Sequence, residues 1–361
     1  MPMSPEPIIS AGSPVWFNDD AYRALNEMLR NANPSMVVVL CDANTARHCQ
    51  PGFLSMLETD APLELIEIEP GEDMKTVQTC LEIWHALTEI GADRKSLIVN
   101  LGGGVVTDLG GFIASAYKRG VGFVNVPTTL LGMVDAAIGG KNGVDIGPLK
   151  NQVGTISSPA LVVVDTSFLE TLPKRELRSG YAEMLKHGLI ADARYWEQLS
   201  SAEDFGGEEF DSLIARSVEI KSEIVTRDPT ENGLRKSLNF GHTLGHAIES
   251  HFLSCGKPVL HGEAVAAGMV LEAFLSMEKG LLEPSDYNWV KKTIISMFGV
   301  MDFSSDAVPS ILQLLVHDKK NEHGRTLFAL IAGIGTPALD IEAGNDLIVS
   351  AFDDYRNIDF D

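Results

Sequence analysis

An α/β half followed by a helical half is the architecture this sequence predicts. Up to about residue 170, short β-branched runs alternate with amphipathic helical patterns, which implies a parallel sheet with ligands at the carboxyl ends of its strands. Beyond that point strand signals nearly vanish and long helical patterns take over. The change falls at a break, Thr171-Leu172-Pro173, dividing the chain into an α/β domain over residues 1–172 and a helical domain over 173–361.

The elements follow in order. Residues 36–41, MVVVLC, read as a buried strand ending at Asp42. Residues 61–69 alternate in polarity and end in the turn signal Pro70-Gly71. Residues 74–90 carry an amphipathic helical pattern closed by Gly91. Residues 96–101, SLIVNL, form a strand running into Gly102-Gly103-Gly104, and residues 121–126 and 160–165 add two more. Helical patterns then cover residues 175–191, 210–225, 238–253, 262–279 and 287–298. The apolar run 326–331 fits either a strand or the close of a helix. The sequence shows no internal repeat and no low-complexity linker.

Composition narrows the function. With 45% hydrophobic and 22% charged residues the chain reads as an ordinary globular protein. A formal charge of −22 argues against nucleic-acid or anionic-membrane surfaces, which need clustered Lys and Arg. An anionic substrate must therefore be held by a local basic pocket. Cys41, Cys49, Cys80 and Cys255 show no CxxC pairing, which fits a reducing compartment. The start, MPMSPEPIIS, lacks a signal peptide's basic and apolar regions, and no apolar run is long enough to span a membrane. The expectation is a cytoplasmic enzyme.

The stretch NFGHTLGHAIE, residues 239–249, sets His242 and His246 one helical turn apart on a shared face, behind the capping-type residue Asn239. Glu183 in GYAEMLKH and His261 in LHGE add a carboxylate and another imidazole. Glu183, His242 and His261 together suit a catalytic Zn²⁺ with an open position, and other divalent ions as well. The same residues can equally be separate groups that cap, pack or face solvent.

The strand–glycine–helix stretch GGGVVTDLGG, residues 102–111, suits the phosphates of a dinucleotide. It is not a full G-x-G-x-x-G, because Thr107 takes the last glycine position, and it does not open the first βα unit. Asp42 fits a ribose hydrogen bond or a plain helix cap. Glu72 and Lys75 fit the same nucleotide or an exposed ion pair. Lys141, flanked by Gly139, Gly140 and Gly143, suits a phosphate or a substrate oxygen, and Lys150-Asn151 adds a second pair. Lys221, Glu231, Arg235 and Asn239 precede the histidines, with Arg235 suited to a bidentate carboxylate grip. Lys319-Lys320 fit a phosphate site or a solvated charge run.

Taken together, GGGVVTDLGGFIASAYKRG, VNVPTTLLGMVDAAIGGKNGVD, LKNQVG, RSGYAEMLKHGLI, DPTENGLRKSLNFGHTLGHAIE, LHGEAVAAGM and DKKNEHG resemble the 3-dehydroquinate synthase family. The resemblance implies a Rossmann-like parallel-sheet domain binding NAD+, a helical metal-binding domain carrying Zn²⁺ with Co²⁺ as a substitute, and a homodimer. It implies a reaction converting 3-deoxy-D-arabino-heptulosonate 7-phosphate to 3-dehydroquinate and phosphate, with NAD+ reduced and reoxidised in each turnover. A sister sugar-phosphate cyclase, or an NAD- and metal-dependent alcohol dehydrogenase, is the alternative. By resemblance, Glu183, His242 and His261 are the metal ligands. Asp42, Glu72, Lys75, Gly103, Gly104, Val105, Asp108, Thr128, Thr129 and the stretch from Phe168 to Thr171 border the nucleotide, with Lys141 and Lys150 near it. Lys141, Asn151, Asn239, His246 and one of Lys319 and Lys320 face the substrate phosphate. Lys221 and Arg235 grip its carboxylate, Asp135 and Lys186 its hydroxyls, and Glu231 is an acid of the pocket. Arg119 reaches the neighbouring subunit's substrate. Thr107, Asn142 (threonine in the family) and GTISSP depart from the family pattern and bear on loop shape.

Overall fold

The computed structural model describes residues 6–147, 149–202, 205–303, 307–315 and 326–357, so Lys319 and Lys320 lie outside the described residues. Two units emerge: Met1–Leu177 with Lys221–Thr226, and Arg178–Ile220 with Arg227–Asp361.

The first unit opens with β1 (Ile8–Ser10), β2 (Ser13–Phe17) and helix α1 (Asn18–Ala32). Then come β3 (Val37–Asp42), α2 (Ala43–His48), α3 (Gln50–Met56), β4 (Leu63–Ile68), α4 (Val77–Glu89), β5 (Leu97–Gly102) and α5 (Gly104–Ala116). Strands β6 (Gly122–Pro127), β7 (Lys141–Ile146), β8 (Leu149–Ile156) and β9 (Leu161–Val164) complete it. The sheet order is β1-β2-β9-β6-β5-β3-β4, antiparallel between β1 and β2 and parallel elsewhere. The Val- and Ile-rich runs of β3, β5 and β9 are buried, as strands covered on both faces must be. Edge strand β4 carries the exposed glutamates Glu64 and Glu67. From β3 the chain moves outward to β4 and then returns to β5 on the other side. The carboxyl ends of β3 and β5 therefore flank a topological switch point, where open α/β sheets bind ligands. This explains why the glycine-rich loop need not open the first βα unit.

Helix α5 lies close to its neighbours through two glycines. A Cβ on Gly110 would sit 1.9 Å from Asn100 Oδ1, and one on Gly111 would sit 1.9 Å from Asn142 Oδ1. The helix expected from residue 74 starts later, because Glu72–Met74 form a separate 3₁₀ turn and Thr76 caps α4 by accepting from Thr79 N.

The second unit holds α6 (Lys174–Ala191, its first residues in the other unit), α7 (Ala193–Ser200), α8 (Gly207–Arg227), α9 (His242–Ser254), α10 (His261–Glu278), α11 (Pro284–Phe298), α12 (Ala307–Leu315) and α13 (Asn345–Arg356). Helix α8 contributes Lys221–Thr226 to the first unit. The run read as strand or helix end is strand β10 (Leu327–Ile331), paired antiparallel with β11 (Pro337–Glu342). Helices α9 and α10 touch almost backbone to backbone, since a Cβ on Gly268 would lie 2.0 Å from Gly241 O. The start of α10 is pressed against α6 in the same way, Gly262 against Ser179 O. No helix among the described residues is long and apolar enough to cross a membrane.

Candidate active site

At the switch point, Asp42 ends β3 and caps α2, its Oδ1 accepting from Thr45 N at 2.9 Å and Thr45 Oγ1 at 3.0 Å. Beside it, Gly103 is the N-cap of α5, followed by Gly104 and Val105 in the first turn. The first amides of a helix lack intrahelical acceptors and carry the positive end of its dipole, so this terminus suits a diphosphate. The loop is also tight: a Cβ on Gly103 would meet Thr129 Cγ2 at 2.9 Å, and one on Gly104 would meet Ala136 Cβ at 3.1 Å. Thr128 N donates to Gly102 O, and Thr129 Oγ1 accepts from Gly132 N. Phe168 is buried within the 3₁₀ segment Thr166–Thr171, where Thr171 Oγ1 donates to Phe168 O. The segment is fixed by Asp165, which accepts from Tyr22 Oη at 2.6 Å and from Ser167 N.

Lys75 is no exposed ion-pair residue. It is buried and pairs with Asp108 Oδ2 at 2.6 Å, one turn inside α5. Burial alone would lower its pKa, but Asp108 and Glu72 raise it above the ordinary lysine range. Burial pushes the Asp108 carboxyl up, with the Lys75 ammonium pulling back. Glu72 Oε1 lies 3.4 Å from Lys150 Nζ. The hairpin of β7 and β8 is tied to this cluster, as Asp145 N donates to Lys75 O and Asp145 Oδ1 accepts from Asn151 N at 2.6 Å. Asn151 adopts φ of 52°, a left-handed conformation that Asn tolerates. Lys141, at the start of β7, is exposed. Lys221 Nζ donates to Asp135 O and Oδ1, both at 2.5 Å. Arg119 sits in a 3₁₀ turn with φ of 69° and is exposed.

In the second unit, three helices bring one carboxylate and three imidazoles together. Glu183 comes from the middle of α6, His242 is the first residue of α9 with His246 a turn later, and His261 is the first residue of α10. His242 Nε2 and His261 Nε2 each lie 3.5 Å from Glu183 Oε1. His246 joins them, its ring 5.1 Å from His242 and 5.7 Å from His261. Glu183 is fully buried, and neither of its oxygens has a hydrogen-bond partner in acceptable geometry. The Lys186 ammonium presses on its Oε2. Burial would push the Glu183 carboxyl up, but Lys186, His242 and His261 hold it well below the usual carboxylate range. Burial opposes the charge on His261, yet Glu183 and Glu249 push its pKa up to about 10.

These are the features of a cation site. Ligands about 2.0–2.1 Å from a tetrahedral Zn²⁺ stand about 3.4 Å apart, close to the 3.5 Å separations seen here. Burying a carboxylate is costly unless it is paired, and a divalent ion between Glu183, His242 and His261 would add to the compensation that the Lys186 ammonium already gives.

Nearby, Asp228 accepts from the amides of Asn232, Gly233 and Arg235, shaping the loop before α9. Glu231 takes φ of 62° there and accepts from Asn239 Nδ2 at 2.8 Å. Asn239 is therefore not the cap of α9, as its position in the sequence suggests. Gly241, at φ of 78°, fills that place. Buried Arg235 donates to Pro229 O. Sequence reasoning assigned no role to Glu272, whose Oε2 and Oε1 accept from Gly241 N at 2.6 Å and Leu244 N at 3.0 Å. It assigned none to Glu249 either, although a position seven residues after His242 on one helix was a readable signal.

Residues 65–179 match the family model described as 3-dehydroquinate synthase N-terminal, and residues 180–321 match 3-dehydroquinate synthase C-terminal. A 3-dehydroquinate synthase of Parabacteroides distasonis is 38% identical, covering 93% of this chain and 96% of the relative. One from Leptospira interrogans is 41% identical over 85% of each. The chain belongs to the 3-dehydroquinate synthase family. Its fold is shared with ValA, a 2-epi-5-epi-valiolone synthase of Streptomyces hygroscopicus solved with NAD+ and Zn²⁺ bound. That match has a TM-score of 0.83, 27% identity, and coverage of 95% and 96% of the two chains. A more distant match is an iron-containing alcohol dehydrogenase from Thermococcus thioreducens, with a TM-score of 0.66, 17% identity and coverage of 95% and 98%, which shares the fold alone. Among the residues that depart from the family pattern, Thr107 sits in the first turns of α5 with its hydroxyl directed to Gly103 O and Gly104 O. Asn142 donates to Gly140 O and Ser157 O, which pins the start of β7.

Proposed function

We propose that this protein converts 3-deoxy-D-arabino-heptulosonate 7-phosphate to 3-dehydroquinate and phosphate, using NAD+ and a divalent metal, as a cytoplasmic homodimer. The observation that carries the reading is the convergence of buried Glu183 with His242 and His261 at tetrahedral-edge spacing in a chain of this family. The glycine-tight amino terminus of α5, with Asp42 across the switch point, suits NAD+. When bound, the metal supplies Lewis acidity toward substrate oxygens, and NAD+ accepts and returns one hydride, so none is consumed.

The side chains then have separate tasks. Glu183, His242 and His261 hold the metal. His246 and Asn239 offer hydrogen bonds to phosphate oxygens, and Glu231 orients the Asn239 amide through its 2.8 Å bond. Arg235, its backbone fixed by Asp228, offers a planar fork to a carboxylate. Lys141 and Asn151, on the hairpin, suit a departing phosphate, whose developing charge they stabilise. Lys221 leaves its pairing with Asp135 to meet an anionic group of the substrate. Lys186 holds its ammonium against Glu183 and is available to donate to a substrate hydroxyl. Arg119 is assigned to the partner subunit's substrate.

The experiment is phosphate release by the purified protein with NAD+ and Zn²⁺. It offers the heptulosonate phosphate and sedoheptulose 7-phosphate in parallel while NADH absorbance is followed. Phosphate from the first substrate alone, with no net NADH, is the expected result. Release from the second substrate would move the chain to the activity named for ValA, and NADH accumulating without phosphate would overturn the cyclase reading.

A further inference from the structure

The two imidazoles facing Glu183 are oriented from behind by different acceptors. His242 Nδ1 lies 3.2 Å from the backbone carbonyl of Phe240. His261 Nδ1 instead lies 3.4 Å from Glu249 Oε2, a carboxylate on α9 that is only 7% exposed. Glu249 follows His242 by seven residues and His246 by three, so all three sit on one stripe of the helix. A neutral imidazole has one N–H and one lone pair, and the hydrogen bond made by one nitrogen decides which tautomer the other presents.

We infer that Glu249 is the positioning residue of the metal centre: it accepts the Nδ1 proton of His261 and so fixes the tautomer and ring angle that aim Nε2 toward Glu183. The carboxylate also makes His261 a stronger donor, because electron density pushed in at Nδ1 raises basicity at Nε2. His242 Nδ1 faces a neutral carbonyl, a weaker acceptor than a carboxylate. The site is thus asymmetric, with its tighter imidazole on α10 and its weaker one on α9. The inference rests on the reading that Glu183, His242 and His261 hold a divalent ion.

The test measures metal binding and needs no turnover. Chelator-stripped protein is titrated with Zn²⁺ against a chromophoric competitor, and with Co²⁺ while its visible absorption is followed. Wild type, Glu249→Gln, Glu249→Ala, His261→Ala and the double variant Glu249→Ala/His261→Ala are compared. Glu249→Ala is expected to weaken Zn²⁺ binding roughly 10- to 100-fold. Glu249→Gln, which keeps an acceptor oxygen without the charge, should lose less and should shift the Co²⁺ bands. In the His261→Ala background, the further change Glu249→Ala should cost less than about twofold, because the imidazole it acts through is gone. If Glu249→Ala does not fold by circular dichroism, the Glu249→Gln affinity and spectrum decide. Wild-type affinity and an unchanged Co²⁺ spectrum in Glu249→Gln would overturn the inference, as would an equal loss with and without His261. Wild-type protein that binds no stoichiometric Zn²⁺, or His261→Ala that binds as wild type does, would instead strike the ligand assignment itself.

Discussion

Lys75 shows how a single side chain's setting decides what it can do. The local sequence EDMK reads as a polar turn, and nothing in it signals burial. The burial arises because β7, some seventy residues later, lays Asp145 N on Lys75 O while α5 supplies Asp108. Removing one member of a buried ion pair leaves the other charge uncompensated, at a cost of about 3–5 kcal/mol. Lys75→Met should therefore destabilise the protein by an amount in that range in urea denaturation near neutral pH. The pH dependence has a definite sign. Burial already raises the Asp108 carboxyl, and losing the ammonium raises it further above its unfolded value. The variant's folded state then binds more protons than its unfolded state, so its stability should fall as pH rises above the ordinary carboxylate pKa of about 4. A variant whose midpoint matches wild type over that range would mean that Lys75 does not govern the titration of Asp108. The same contrast holds elsewhere. Glu183, His242 and His261 are chemically conspicuous in the sequence, whereas Glu272 is an ordinary helical glutamate until α9 and α10 are packed together.

At the level of elements, the ligand geometry depends on how closely α10 approaches α9 and α6. Gly268 faces Gly241 O so tightly that a methyl group would stand 2.0 Å from it. Gly241 precedes His242 and takes a left-handed φ. Overpacking a core usually costs about 1–3 kcal/mol and displaces backbone, and here the backbone displaced carries His242, a proposed metal ligand. Gly268→Ala should lower the thermal midpoint of the metal-free protein and, in the part that folds, weaken Zn²⁺ binding as well. Destabilisation with unaltered Zn²⁺ affinity would show that the α9–α10 contact serves the fold alone. The long periodic elements were legible: β3, β5, β6 and β9 lie within a residue or two of the sequence reading, as do α6 and α10, while α11 starts three residues earlier than read, at Pro284. What was not legible has physical causes. Strands β7 and β8 are rich in Gly and polar residues and have no period to detect, β1 and β2 are short, and the hairpin of β10 and β11 is stabilised by packing on α10. Helix α9 was read to start at residue 238, but Gly241 at φ of 78° stops any helix there, and residues 234–239 form a 3₁₀ segment instead.

The whole molecule carries a net charge of −22, yet the proposed substrate bears both a phosphate and a carboxylate. Two electrostatic effects of opposite sign therefore act at different ranges. The field of the entire chain repels the substrate during approach, while on the proposed reading the cationic side chains assigned to it, among them Lys141, Lys221 and Arg235, attract it at contact. Salt separates the two. The Debye length shrinks from about 30 Å at 0.01 M to about 8 Å at 0.15 M, which removes most of the long-range repulsion, whereas partly buried contacts are screened far less. Raising ionic strength over that interval with a weakly coordinating salt should therefore increase kcat/KM for the heptulosonate phosphate by roughly two- to threefold. An enzyme steered by a basic surface would lose efficiency under the same change. A falling kcat/KM would mean that the acidic residues lie away from the approach path and that the local cations govern capture from a distance. In that case Lys141→Met or Arg235→Met should flatten the salt profile as well as weaken binding, and both can be read from the same initial-rate series.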